Sequence, residues 1–319
     1  MVDTASDVKS RALVVGGSGF IGHHLCQWLN DGRFEVVNLD RQEPRKSVPG
    51  VAFVAADAAN AASLQSVFAE FSPEIVFHLA ANSDIASGAN SAVPDFRDTL
   101  NTTVALRQII ERFPVKQAIF ASSSAIFGVS ESRLAESNEQ YKTPVSWYGH
   151  AKLAGEYVLE SLLRSHPSMK LLIFRFPNVV GPMATHGVIY DFIHRLSRDP
   201  SNLRILGDGH QTKPYIHVSE LIRALTYLPS QVSSGYCEFN VGPDDAIEVR
   251  QIADAVCRIL NLKPKLHFGN TPEGWLGDVP RYLFDTRKSK DLGFRTELSS
   301  LAAVELAISQ IVDELNLGR

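Results

Sequence analysis

Short apolar runs, many of their residues β-branched, alternate along the first half of the chain with longer stretches of helical spacing. The runs are ALVVGG (12–17), EVVNLD (35–40), VAFVAAD (51–57), EIVFHLA (74–80), QAIFASS (117–123) and KLLIFRF (170–176). Each is apolar almost without interruption, as a strand covered on both faces must be. Between them, residues 19–30, 61–71, 95–113 and 147–165 carry apolar residues at helical spacing. Strand–helix alternation predicts an α/β fold with a parallel, doubly wound sheet of the Rossmann type. After about residue 178 prolines and glycines break the alternation into shorter elements. This predicts a first, Rossmann-type domain over 1–178, with 215–241 returning to it. A second, smaller α/β domain is predicted over most of 179–319.

Composition narrows the function classes. With 319 residues, 45% of them hydrophobic, there is ample material for a core. The net charge of -4 and the lack of any basic run argue against nucleic-acid binding. The polar opening stretch lacks the pattern of a signal peptide, and no apolar run is long enough to cross a bilayer. Cys26, Cys237 and Cys257 are far apart, fit no metal spacing, and read as buried thiols of a cytoplasmic protein.

Candidate chemistry begins where the first strand ends. Gly16, Gly19 and Gly22, with Phe20 and Ile21 between the last two, open a helix directly after a strand. A pyrophosphate needs such a turn: backbone must approach its oxygens, and the free N–H groups of a helix start must face the anion. Asp40 ends the second strand, placed to accept from ribose hydroxyls and to repel a 2′-phosphate. The cofactor expected is NAD, although Arg41 beside it is a residue that pairs with such a phosphate.

Tyr148 and Lys152, four apart on a predicted helix, share one face. An ammonium beside a phenol favours the phenolate and makes the tyrosine a usable base. Ser123 and Ser124 end a strand at the carboxyl edge of the sheet, where a hydroxyl can donate to the same substrate oxygen.

GGSGFIG, Asp40, Asp57, HLAA (78–81), Asn101, SSSAIFG (122–128), YGHAK (148–152) and FRFPNVVGP (174–182) together resemble the extended short-chain dehydrogenase/reductase family. The match is strongest to its nucleotide-sugar epimerases of the UDP-glucose 4-epimerase kind. The resemblance runs from residue 11 to about 295. It implies Tyr148 as base, Lys152 as its partner and Ser123 as the third catalytic residue. It places Asp57 and Ala58 at adenine, Leu79, Ala80 and Ala81 along the cofactor, and Phe176 near the nicotinamide. Asn101 is expected to bridge backbone near the serines, while His78 and His217 read as core histidines.

The resemblance also implies a nucleotide-sugar site containing Ser123, Ser124, Tyr148, Asn178, Val188, Lys213, Tyr215, Asp278 and Tyr282. Lys213 stands where the epimerases usually have a phosphate-gripping arginine, and Trp275 where they have another. Arg250 and Arg281 are candidate replacements for the second. Tyr282 matches a position that excludes N-acetyl groups. Dehydratases of the family follow the catalytic hydroxyl with an acid pair, and here Ser124 and Ala125 stand in its place. The expected activity is epimerisation at carbon 4 of a nucleotide-linked hexose, foremost a UDP-hexose. The alternative is a 4-reductase or 4-ketoreductase. Relatives pair two long helices across a twofold, so a homodimer is expected; no metal is.

Overall fold

A computed structural model describes residues 9–82, 91–130, 132–275 and 277–317, so the eight opening residues and Leu276 lie outside the described residues. The apolar runs form strands β1 (Ser10–Val15), β2 (Phe34–Asp40), β3 (Ala52–Ala55), β4 (Ile75–His78), β5 (Gln117–Ala121) and β6 (Lys170–Arg175). Short strands follow: β7 (Asn178–Val180), β8 (Asn202–Arg204), β9 (Thr212–Lys213), β10 (Tyr215–His217), β11 (Gly235–Asn240), β12 (Ile247–Glu248) and β13 (Lys265–His267). The longer helices are α1 (Phe20–Leu29), α2 (Ala61–Phe71), α3 (Asn101–Arg112), α4 (Trp147–Glu160), α5 (Val188–Arg198), α6 (Val218–Tyr227), α7 (Val249–Ile259) and α8 (Ser300–Glu314).

Seven strands pair in parallel in the order β11-β6-β5-β4-β1-β2-β3. The order reverses between β1 and β4, and the carboxyl ends of strands flanking such a switch point leave a crevice for a ligand. Both faces of the sheet are covered, which explains the unbroken apolar runs. Ala12 and Val14 face α1 and α6, through Leu25, Leu29, Leu221 and Leu225. Leu13 and Val15 face α2 and α3, through Leu64, Phe68, Leu106 and Ile109. Successive residues of one strand thus serve two separate cores. A third core joins α5, α7 and α8 through Phe192, Ile193, Ile252, Val256, Val304 and Ile308.

Several expected elements are shorter or broken. Gly16 and Gly17 belong to the turn after β1. The stretch 95–113 contains a π-helical turn, Phe96–Leu100, ahead of α3. Within 215–241, β10 pairs with β7, α6 packs on the α1 side of the large sheet, and β11 joins that sheet beside β6. Of the three thiols only Cys26 is buried; Cys237 and Cys257 are half-buried. His78 and His217 are buried. Among the described residues no helix is long and apolar enough to cross a membrane, and no cluster of His, Cys, Asp or Glu could hold a metal ion.

Candidate active site

At the switch point lies a cleft of about 860 Å³, large enough for a sizeable ligand. The expected catalytic, cofactor and nucleotide-sugar residues line it, from Gly16 at one end to Asp278 and Tyr282 at the other, whereas Asn101, Arg250 and Arg281 do not. The ends of β1, β2, β4, β5 and β6 supply one wall; α5, the segment around 213, Gly274, Trp275 and residues within 277–282 supply the other.

At the dinucleotide end, α1 begins at Gly19 without a side-chain cap, so its first N–H groups are left for an anion. A Cβ on Gly22 would lie 2.2 Å from the Gly16 carbonyl oxygen. The turn therefore closes tightly only without side chains. Asp40 is held by the Ser18 and Gln42 N–H groups at 3.1 and 3.0 Å. Asp57 accepts from the Ala59 N–H at 2.9 Å and lines the cleft beside Ala58. An uncapped helix start, a turn that a Cβ would fill and a fixed carboxylate at the end of β2 fit a dinucleotide with free ribose hydroxyls.

Midway along the cleft, Ser146 caps α4 by accepting from the Gly149 N–H at 3.1 Å, which sets Tyr148 in the first turn. A Cβ on Gly149 would lie 2.1 Å from the Ala125 carbonyl oxygen. Glycine there lets α4 rest directly on the serine turn. The Ser123 hydroxyl accepts from the Ala125 N–H at 3.1 Å and hydrogen-bonds Tyr148. Burial pushes the Tyr148 phenol above its usual range, and the Ser123 hydrogen bond works against that rise. The Lys152 ammonium lies 5.7 Å from the Tyr148 ring centre and donates to the Ala121 carbonyl at 2.6 Å. Burial pulls its pKa down to about 7, while Glu156 acts in the opposite direction.

Beneath the site lies an ion network that sequence reasoning missed. Arg175 is fully buried and forks onto Glu156 at 2.9 and 2.7 Å, then reaches Glu238 at 2.6 Å. Ser122 donates to Glu156 at 2.5 Å. The signal was present: Glu156 follows Lys152 by four and Tyr148 by eight, on the same helical face, and Arg175 interrupts an apolar strand. Asn101 does not bridge the serines. The π-helical turn just before it leaves its side chain exposed, and Thr99 and Thr103 bond Asn82 and His78 instead.

At the far end, the Lys213 ammonium is paired with Asp278, which also accepts from the Gly274 N–H at 3.1 Å. Ser124 donates to the Tyr282 hydroxyl at 2.9 Å, holding that ring in the cleft near Ser123 and Tyr148. Neither Arg250 nor Arg281 lines the cleft; the Arg250 guanidinium instead stacks 4.8 Å from the Phe268 ring centre. Arg195 does line it. Seven residues after Val188 on α5, it shares that residue's face, a spacing that could have revealed it.

Residues 12–242 match the family model "NAD dependent epimerase/dehydratase family". A UDP-glucose 4-epimerase of Yersinia pestis is 27% identical over 319 aligned residues, covering 90% of this chain and 93% of that one. A crystal structure of a UDP-galactose 4-epimerase is 31% identical with a TM-score of 0.85, covering 96% of this chain and 99% of that one. The UDP-glucose 4-epimerase of Thermus thermophilus, solved as a complex with NAD, is 27% identical with a TM-score of 0.83, covering 94% and 98%. With the family model spanning well over half its length, the chain belongs to the NAD-dependent epimerase/dehydratase family.

Proposed function

We propose that this protein epimerises a nucleotide-linked hexose, foremost a UDP-hexose, at carbon 4 through a transient 4-keto sugar, with NAD bound throughout. The observation that carries this reading is the convergence of Tyr148, Lys152 and Ser123 midway between a dinucleotide turn and a second, polar pocket. Bound NAD supplies the hydride acceptor and donor that the chain itself lacks. Tyr148 removes the proton of the 4-hydroxyl as carbon 4 is oxidised, and returns it when the ketone is reduced on its other face. Lys152 stabilises the phenolate, and Ser123 donates to the same oxygen. Ser124 and Ala125 offer no carboxyl group, so protons at the neighbouring carbons stay in place.

Asn178, Val188, Lys213 and Tyr215, with Arg195 beyond them, form the wall that would hold the nucleotide diphosphate. Tyr282, fixed by Ser124, narrows the sugar pocket in favour of plain hexoses. Residues 1–178 with 215–241 belong to the dinucleotide-binding domain, and 179–319 is mainly the domain for the sugar nucleotide, whose reacting end meets Ser123, Ser124 and Tyr148 of the first. The exposed Trp147 and Tyr157 on α4 support a homodimer through α3 and α4. The three free thiols fit a reducing cytoplasm.

The decisive experiment incubates purified protein with single nucleotide sugars and follows isomer ratios by NMR. The parent protein is expected to interconvert one pair at carbon 4 without consuming dinucleotide. Tyr148→Phe should slow this by roughly two to four orders of magnitude. Stoichiometric consumption of NADPH with no isomer formed would replace the epimerase by a reductase.

A further inference from the structure

Arg41 directly follows Asp40 at the end of β2, where a guanidinium can meet a phosphate on the adenosine 2′ oxygen. Here it is already engaged. Its Nη1 and Nη2 donate to the two oxygens of Asp98 at 3.0 and 3.2 Å. Asp98 lies 57 positions further along, in the π-helical turn Phe96–Leu100, and lines the same end of the cleft. Its side chain is 13% exposed against 49% for Arg41, so the carboxylate is the anchored member of the pair. Arg97 forks onto the same oxygens at 2.7 and 2.8 Å but does not line the cleft. Arg97 and Arg41 together hold the Asp98 carboxyl below its usual range.

We propose that Asp98 is a specificity-determining residue for the dinucleotide, selecting NAD over NADP by holding Arg41 in a two-pronged ion pair. A 2′-phosphate could recruit Arg41 only by drawing it away from a largely buried carboxylate, which would lose a charge-assisted partner. That phosphate would also stand beside Asp40 and Asp98, two carboxylates at the same end of the cleft. A ribose with free hydroxyls meets neither cost. The repulsive element is therefore built from two residues far apart in sequence, and Arg41 is kept from serving the wrong cofactor. The inference rests on the dinucleotide site alone, so its test contains no sugar and its failure leaves the epimerase reading standing.

The test equilibrates purified protein with equimolar NAD and NADP until the bound fractions stop changing. The desalted protein is then analysed for bound dinucleotide by mass spectrometry. Asp98→Asn should raise the bound NADP-to-NAD ratio by about tenfold or more, the loss of one charge-assisted contact. Adding Arg41→Ala to that variant should return the ratio toward the parent's. Arg41→Ala alone should leave the parent ratio unchanged within about twofold, because the guanidinium is already occupied. Asp98→Ser serves if the asparagine variant fails to fold, with circular dichroism as the check. A purely structural role would lower binding of both dinucleotides and leave the ratio where it was. An unchanged ratio in the Asp98 variants overturns the proposal. So does a rise that survives Arg41→Ala, or a fall in bound NADP on Arg41→Ala alone.

Discussion

The two ends of the cleft each contain a cation placed to meet a phosphate, and each has that cation on a carboxylate. At the dinucleotide end Arg41 is half exposed on Asp98; at the sugar end Lys213 and Asp278 are both largely buried. The first pair sits where the proper ligand has hydroxyls, so keeping it intact favours that ligand. On the proposed reading the second sits where a diphosphate would lie, so Lys213 would have to serve two anions at once. The same arrangement excludes at one end and compromises at the other. Arg195, which donates to the Arg204 carbonyl at 2.6 Å and lines the cleft, is on the proposed reading a second cation for that end.

The largest expected effect contrasts the buried ion network beneath Tyr148 and Lys152 with an exposed pair in the other half of the chain. Glu156→Gln leaves fully buried Arg175 with Glu238 as its one remaining carboxylate, and losing one of two such partners costs about 2–3 kcal/mol. Arg258–Glu305, an exposed pair on α7 and α8, should cost about 0.5 kcal/mol or less when Arg258→Ala removes it. Urea unfolding of the two variants checks both; equal losses would erase the contrast.

A smaller effect separates the two sugar-end cations. Arg195→Ala should raise the Michaelis constant for the nucleotide sugar about tenfold with turnover within about threefold. Lys213→Ala should raise it too, and should also lower the melting temperature, because it strands the buried Asp278. If Arg195→Ala leaves the Michaelis constant untouched, the diphosphate is held elsewhere.

The smallest effect is a pH dependence centred on the dinucleotide half. Burial lowers the pKa of His23, His24 and His217, and that of His78 to about 3. The unfolded chain takes up protons near pH 6.5 while these folded imidazoles stay neutral. Their contribution is therefore complete above about pH 6.5 and is lost as pH falls, for His78 down to about 3. Lys152, lowered to about 7, is protonated in both states below that value and adds no slope there. The melting temperature should fall by roughly 3 °C or more between about pH 7 and pH 5. His78→Asn should flatten that fall.

Much of this is legible in the chain alone. The strands follow from apolar runs, because a strand buried on both faces has no polar alternative. The glycine turn, Asp40 and the Tyr148–Lys152 pair are local patterns, each set within a few residues by chain geometry. Ser123 and Ser124 both follow from their place after a strand, and the family resemblance picks Ser123 between them. The readings that fail are of another kind. Asn101 reads as a bridge, yet it stands exposed just after the π-helical turn. Arg250 and Arg281 read as phosphate cations, yet one stacks on Phe268 and neither lines the cleft. Strand β10 cannot be assigned a partner from its own residues.

By itself, then, the sequence determined the doubly wound sheet, the dinucleotide turn and the phenol–ammonium pair, all products of short-range periodicity and spacing. Tertiary structure decided which charges neutralise one another: Arg41 with Asp98, Lys213 with Asp278, Arg175 with Glu156 and Glu238. An ionic group acts over a few ångströms on whatever the fold brings near, so its partner can lie dozens of positions away and leaves no mark beside it in the chain.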